Sequence, residues 1–416
     1  MEVNILDHPS PKVDAMIDKY LEAPQVFKNR DALSIHFVPD ELPHRDKHLE
    51  RMVSILVPAL RGGTPSNIFL YGKTGTGKTA AARLVLRALV SKGRDTNMPL
   101  IASYINCNQV NTNYRVLARL CEEIGVDVPE TGLPTDVVYS RFREGLDAAE
   151  QLIIIILDEV DKLVTRSGND VLYDLTRMKI DLERARVSLI GITNDLRFKG
   201  QIDPRVLSSL SEEELFFAPY KATELQTILD QRAKMAFHPG VYDYGVITLC
   251  AAIGAREHGD ARRALHLLKV SGELAEKQKL NKVTEEHVKL ARHHIEQKTI
   301  DTFLETLPLQ SKTVLHCIYL LEVNGKNEIF SGDVYDVYSE LCGILNIDQL
   351  TQRRISDFIN ELIMHGIIVA QEISRGRYGR TRRIKLSVPP AQVKNILSEN
   401  FKLKQVIDHK PTLLRS

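Results

Sequence analysis

The feature that most constrains this chain is the run Gly72-Lys73-Thr74-Gly75-Thr76-Gly77-Lys78-Thr79. It follows the apolar segment Ile68-Phe69-Leu70-Tyr71 and precedes the helix-forming stretch Ala80-Ala81-Ala82-Arg83-Leu84. A glycine-rich turn alone would read as a surface loop, but strand, loop, Lys-Thr and helix in this order are a P-loop in its required context. The spacing predicts that Gly72, Thr74, Gly75, Thr76 and Gly77 turn backbone N–H groups inward on phosphate oxygens. Lys78 then reaches the β- and γ-phosphates, the Thr79 hydroxyl ligates Mg²⁺, and Ala80 opens a helix whose positive end faces the same anion.

From about residue 38 to 219, strand-like apolar runs alternate with helical stretches, the pattern of an α/β domain with a parallel sheet. Strands are expected at 68–71, 100–105, 152–157 and 187–193, and an amphipathic segment at 113–124 follows the second. The third is apolar throughout, as suits a strand covered on both faces. Residues 221–297 read as helical: Leu225, Ile228, Leu229 and Arg232 share one face, and Gly259-Asp260 supplies a stop and then an N-cap for a helix over 261–277. After a polar stretch, helices near 311–322, 331–342 and 350–365 and strands at 367–373 and 384–388, around a basic turn, make a winged helix. With 416 residues, two to three domains are expected, and we divide the chain at 1–219, 220–300 and 301–416.

Lys and Arg number 55 against 54 Asp and Glu, a formal charge of +1, so any nucleic-acid affinity must come from local patches. The five cysteines are scattered without CxxC spacing, which indicates neither a disulfide framework nor a zinc site. No basic region followed by an apolar core opens the chain, and its longest apolar run is far too short to span a bilayer, so an intracellular protein with no membrane partner is expected.

An acidic pair, Asp158-Glu159, ends the third strand, at the edge where parallel sheets present ligands. Asp158 would hold Mg²⁺ through water and Glu159 would act as general base, although Asp161 and Lys162 follow and a solvated turn is the plainer alternative. The fourth strand ends at Thr193-Asn194-Asp195, placing a neutral hydrogen-bonding side chain beside the γ-phosphate. Arg205 in Asp203-Pro204-Arg205-Val206 and Arg262 in Gly259-Asp260-Ala261-Arg262 each stand at a helix start.

These residues in this order resemble the AAA+ ATPases. The resemblance implies that Asn194 is sensor 1 and that Arg262 is sensor 2, reading the γ-phosphate from a helical lid. Glu41-Leu42-Pro43-His44-Arg45, Asp203 through Leu210, Pro219-Tyr220-Lys221-Ala222 and the terminal winged helix are further similar to the archaeal origin-recognition and cell-division-control initiators, over nearly the whole chain. In that family Tyr220 and Arg232 would contact the nucleotide, and the Pro43-His44-Arg45 region would wrap near the adenine. Implied cofactors are ATP or ADP with Mg²⁺. Implied partners are double-stranded origin DNA, a replicative helicase of the minichromosome maintenance type, and related initiator subunits. One departure is that the Ser-Arg pair often carrying an arginine finger is here Ser208-Ser209. Arg205 remains as candidate, in cis or on a neighbour; if it misses the γ-phosphate, hydrolysis is slow and the protein acts as a switch.

At the far end Arg375, Arg377, Arg380, Arg382, Arg383 and Lys385 crowd the turn between the last strands, with Tyr378 interleaved, as in a wing tip that approaches DNA phosphates. In the helix ahead of it Ile355, Phe358, Ile359 and Leu362 form the buried face, Arg353 and Asn360 point outward and Gln352 and Arg354 flank them, placed to read base edges. Either could instead be ordinary charged surface. Arg115 and Arg119, four residues apart, are a second DNA contact if the segment at 106–124 matches the extra helix of the initiator subgroup, or else plain surface cations. A P-loop regulator of transcription or signalling with a winged-helix output, and a translocating motor, are the alternative functions.

Overall fold

The third strand shows how these residues become a sheet. Leu152-Ile153-Ile154-Ile155-Ile156-Leu157-Asp158 is buried at every position, because side chains alternate between two covered faces. The fold is read from a computed structural model that describes Met16 and residues 25–414, except His36, Pro99, Glu130 and residues 375–379; at Ser374 and Arg380 it describes the backbone alone.

The chain divides into two compact units, 1–291 and 292–416. In the first, helix α1 (Asp46–Leu56) leads to β1 (Ile68–Tyr71), α2 (Lys78–Asp95), β2 (Leu100–Asn106), α3 (Asn113–Glu123) and α4 (Thr135–Ala148). Then come β3 (Leu152–Asp158), α5 (Val160–Ser167), α6 (Asp170–Asp181), β4 (Arg186–Thr193), α7 (Pro204–Leu210) and β5 (Glu213–Phe216). The strands form one parallel sheet in the order β2-β3-β4-β1-β5. Ile153, Ile155 and Leu157 pack on one side with Val116 and Leu120 of α3, while Ile154 and Ile156 pack on the other with Ala81, Val85 and Leu89 of α2. Burying each of these isoleucine, leucine and valine side chains is worth roughly 1.5–3 kcal/mol.

The four expected strands are present, and β5 is added. Its Glu213-Glu214-Leu215-Phe216 is too polar to read as a strand, yet at the sheet edge, paired with β1 alone, both glutamates reach solvent-side cations: Arg51 at 2.6 Å from Glu213, and Lys199 beside Glu214. Beyond the sheet lie the lid helices α8 (Ala222–Ala236), α9 (Tyr244–Arg256) and α10 (Ala261–Lys277), and then α11 (Glu285–Thr306). The division expected at residue 300 falls inside α11. No helix among the described residues is long and apolar enough to cross a membrane.

The second unit contains α12 (Leu309–Val323), β6 (Ile329–Phe330), α13 (Ser331–Leu345), α14 (Gln352–Met364), β7 (Ile368–Ser374), β8 (Arg380–Leu386), α15 (Pro390–Glu399) and α16 (Phe401–Lys404). Its antiparallel sheet runs β6-β8-β7. Here the strand expectation needs correcting: β8 begins at Arg380, four residues before the expected 384. Arg382, Arg383 and Lys385 therefore lie on a strand and not in a turn. Ile384 and Leu386 are buried and Lys385 is exposed, so alternation lets a charged run pair with β7 without burying charge.

Candidate nucleotide site and nucleic-acid interface

The carboxyl ends of β1, β3 and β4 bring the P-loop, Asp158-Glu159 and Asn194 to one edge, where α10 of the lid meets them. Gly75, Thr76, Gly77, Lys78, Thr79, Ala80, Asp158, Glu159, Asn194, Tyr220, Arg232 and Arg262 all line a single cavity of about 260 Å³. Gly72 and Thr74 belong to the same loop without lining the cavity. Gly75 and Gly77 hold φ +68° and +94°, a region that favours glycine. Space demands glycine there too: a Cβ on Gly75 would stand 1.7 Å from Asp260 Oδ1, and one on Gly77 2.8 Å from the Tyr220 hydroxyl.

Lys78 is buried, and its Nζ donates to the carbonyls of Gly72 and Lys73, each at 2.7 Å. Burial pulls its pKa down to about 8, with the positive charge of Arg262 adding to the effect against the opposing pull of Asp158. The Thr79 hydroxyl donates to Asp158 Oδ2 at 2.8 Å, and the Tyr104 hydroxyl donates to the same oxygen at 2.9 Å. Neighbouring hydroxyl and carboxylate oxygens at the foot of a phosphate loop fit a hard divalent cation that keeps most of its waters. Tyr104 was not foreseen; burial and then the Asp158 charge push it up to about 12, and Arg83 lies 3.7 Å over its ring.

Glu159 sits in the left-handed region at φ 56°, unusual for a non-glycine residue, in the turn that starts α5. Burial first, then the charges of Asp158 and Asp161, raise its pKa, the direction a general base near neutrality needs. Asp161 is held by the Thr193 hydroxyl at 2.8 Å. On the lid side Asp260 caps α10, accepting from the N–H of Arg262 at 2.8 Å. It also accepts from the Thr74 hydroxyl at 3.3 Å, while the Ala261 N–H donates to Gly75 O at 3.2 Å. The lid is thus tied to the P-loop itself, and Arg262 is exposed into the shared cavity.

Three arginines are held by acceptors of the protein itself. Arg205 is outside the cavity and forks onto Asp203 at 2.9 and 3.2 Å. Arg232 lines the cavity, but its guanidinium is spent on the carbonyls of Ala32, Ser34 and Phe37. Arg45 braces the P-loop, donating to Thr76 O at 2.9 Å and Ala218 O at 2.6 Å while stacking 3.9 Å over Tyr220. Of its neighbourhood Leu42 lines the cavity, together with Ser34, Ile35, Phe37, Val38 and Pro39, which the sequence reading missed.

In the second unit Gln352, Arg353 and Arg354 are exposed at the start of α14, above a buried face of Ile355, Ile359 and Leu362 with Phe358 half-buried. Arg354 lies 3.7 Å from Asp357. Asn360 faces outward but accepts a hydrogen bond from Arg382, and Arg383 pairs with Glu328 at 3.2 Å. Arg375, Arg377 and Tyr378 lie outside the described residues; Arg380 pairs with Ser374 in the β-ladder. In the first unit Arg115 and Arg119 share the exposed face of α3; Arg119 pairs with Glu122 at 2.5 Å and Arg115 donates to Gln109 O at 3.4 Å.

Comparison with known proteins agrees with this geometry. Family models match for an AAA domain over residues 61–198, a Cdc6 AAA+ ATPase-type lid domain over 226–293 and a CDC6 C-terminal winged helix domain over 302–396. The ORC1-type DNA replication protein of Thermococcus onnurineus (strain NA1) is 53% identical over 399 residues, covering 95% of this chain and 96% of that protein. That of Pyrococcus furiosus is 52% identical over 400 residues, 95% of each. The solved structure of the Aeropyrum pernix ORC1 protein in complex with DNA matches with a TM-score of 0.79 and 46% identity, over 92% of this chain and 99% of that one. With a P-loop tied to a helical lid and a winged helix in one polypeptide, and with relatives of this identity along its length, the chain belongs to the family of ORC1-type DNA replication proteins.

Proposed function

We propose that the chain is an ATP-controlled initiator that binds double-stranded origin DNA through its winged helix and helps recruit or load a replicative helicase of the minichromosome maintenance type. It would work in the cytoplasm on the nucleoid, alone or with related initiator subunits. The observation that carries the reading is the tie between P-loop and lid, Thr74 to Asp260 and Ala261 to Gly75, with Arg262 in the cavity. A γ-phosphate entering there meets groups from both sides, so nucleotide state biases the lid.

Lys78 neutralises phosphate charge, Glu159 takes the proton of the attacking water, and Asn194 orients that water. Thr79 and Asp158 would hold Mg²⁺, which when bound spreads the charge of the phosphate oxygens. Arg205, paired with Asp203 outside the cavity, would serve as a finger by leaving that partner or by acting on a neighbouring subunit; without it turnover is slow and the protein acts as a switch and not a motor. Domain roles follow as 1–219 for nucleotide binding, 220–300 for the lid and 301–416 for DNA.

DNA binding is supported by the exposed Gln352, Arg353, Arg354 and Lys385 and by the DNA complex of the Aeropyrum pernix relative. Arg382, Arg383 and the wing residues Arg375, Arg377, Tyr378 and Arg380 would add phosphate contacts, as would Arg115 and Arg119 from α3. Genome-wide mapping of bound DNA tests the reading: sharp peaks at origins are expected, and binding spread over promoters would replace it with a transcriptional regulator.

A further inference from the structure

Asp158 is buried at the end of β3, yet its carboxylate is gripped from three separate places in the fold. The Thr79 hydroxyl of α2 and the Tyr104 hydroxyl of β2 both donate to Oδ2, at 2.8 and 2.9 Å, and the N–H of Glu159 donates to Oδ1 at 3.0 Å. An ionised carboxylate offers about four acceptor positions. With these donors in place, the position that remains lies on Oδ1.

Sheet geometry explains how Tyr104 reaches Asp158. Strands β2 and β3 run parallel, with Tyr104 beside Ile156 and Asn106 beside Asp158. Side chains two apart on a strand share a face. Asp158 therefore follows Ile154 and Ile156 onto the side of the sheet covered by α2, where Tyr104 also packs. The hydroxyl then has to reach only about 6.6 Å along the strands, the rise of two residues. Thr79 and Arg83 stand four residues apart on α2 and so on one face of it. The helix that puts Thr79 on the carboxylate accordingly puts Arg83 over the Tyr104 ring, with the guanidinium carbon 3.7 Å from its centroid. Tyr104 and Arg83 line the nucleotide cavity and also a second cavity of about 590 Å³ beside the edge strand β2. Open space borders the ring there, so packing alone does not fix it and the guanidinium does.

We propose that Tyr104 is a positioning residue for the divalent cation of the nucleotide site, acting through Asp158, and that Arg83 braces it. Thr79 would serve the carboxylate and the cation with one hydroxyl, so its grip on Oδ2 changes when the cation arrives. Tyr104 grips the same oxygen without being a ligand, and its hold is the same before and after. The last acceptor position on Oδ1 is thereby kept in one place for a water of the cation's shell. Removing an outer partner of this kind lowers metal affinity about tenfold or more.

The proposal rests on the reading that Thr79 and Asp158 hold Mg²⁺ and is tested apart from it. ADP labelled on the ribose is bound to the full chain in EDTA and across a Mg²⁺ titration, and free Mn²⁺ is followed by electron paramagnetic resonance in the presence of ADP. Tyr104→Phe, which removes only the hydroxyl, should raise the Mg²⁺ midpoint and weaken Mn²⁺ binding about tenfold, more than any change seen in EDTA. Arg83→Leu should move both in the same direction by roughly threefold. Beside Asp158→Ala, Tyr104→Phe should add nothing, because it acts through that carboxylate. If Tyr104→Phe does not fold by circular dichroism, Arg83→Leu carries the test. An unchanged midpoint in the variant that is read overturns the proposal. So does an equal loss of ADP with and without metal, or an effect of Tyr104→Phe that persists beside Asp158→Ala. A wild-type chain whose hold on ADP ignores Mg²⁺ and that takes up no Mn²⁺ refutes the underlying metal reading instead.

Discussion

Raising the pH from 7 to 9 should weaken nucleotide binding about tenfold, through Lys78 alone. Its ammonium is buried among loop carbonyls with its pKa pulled from 10.5 to about 8. Bound phosphates favour the charged form, so above pH 8 binding must also take up a proton. Affinity then scales as the charged fraction of the free protein, which is about nine-tenths at pH 7 and about one-tenth at pH 9. The nucleotide adds no titration of its own there, because the last phosphate ionisation lies near 6. Tyr104 and Cys107, pushed up to about 12, also stay protonated.

The same shift makes the folded chain less stable below the unfolded pKa of this lysine. The unfolded chain takes up this proton at 10.5 and the folded chain only near 8, so the penalty grows as pH falls through that window and stays constant below it. It is worth about 3 kcal/mol at neutral pH, and bound phosphates offset it. Isothermal titration of ADP at pH 7, 8 and 9 in two buffers of different protonation enthalpy measures both affinity and proton uptake. Lys78→Arg, always charged, should bind more weakly for lack of fit yet show a flat profile. A flat profile in the wild type, or the same slope in Lys78→Arg, refutes the assignment.

Gly75→Ala places a methyl group on Asp260 Oδ1 and should cost nucleotide affinity at least about tenfold; Asp260→Ala in the same chain should recover part of it, a coupling that a double-mutant cycle of affinities measures. Glu159→Gln should retain ATP while hydrolysis falls by about two orders of magnitude in a phosphate-release assay. In the second unit burial pushes His316 down to about 4 from 6.5. The unfolded state therefore binds the proton first, and stability present above pH 6.5 is lost as pH falls through 4, by about 3 kcal/mol. Denaturant melts of His316→Leu should show less of that acid loss. Replacing Arg353 and Lys385 with Ala should lower the slope of log affinity for duplex DNA against log salt by roughly 0.9 for each phosphate contact removed.

Much of the site was legible because its chemistry is local. The P-loop, Asp158-Glu159, Asn194 and the cap at Asp260 are short runs whose backbone geometry follows from neighbouring residues; Gly75 through Ala80, Asp158, Glu159 and Asn194 line the cavity, and Asp260 is bonded to the loop beside it. Strand β5 and the early start of β8 were hidden because charged residues lie on them. A sheet edge or an outward face tolerates charge, and pairing partners that make the strand lie elsewhere in the chain. Tyr104 gave a faint signal, as the aromatic of a strand that ends beside β3.

The sequence by itself determined which chemistry this protein carries: a phosphate loop, an acidic pair, a capped lid helix and a basic winged-helix end. Only the tertiary structure decided which arginine does what. Arg262 is exposed into the shared cavity, Arg205 is held by Asp203, Arg45 props the P-loop, and Arg232 reaches back 200 residues to Ala32. A guanidinium has the same charge and donors in all four places, so its role is set by the acceptors that folding brings to it. Those acceptors are mostly backbone carbonyls, which every residue has and which leave no mark in the sequence.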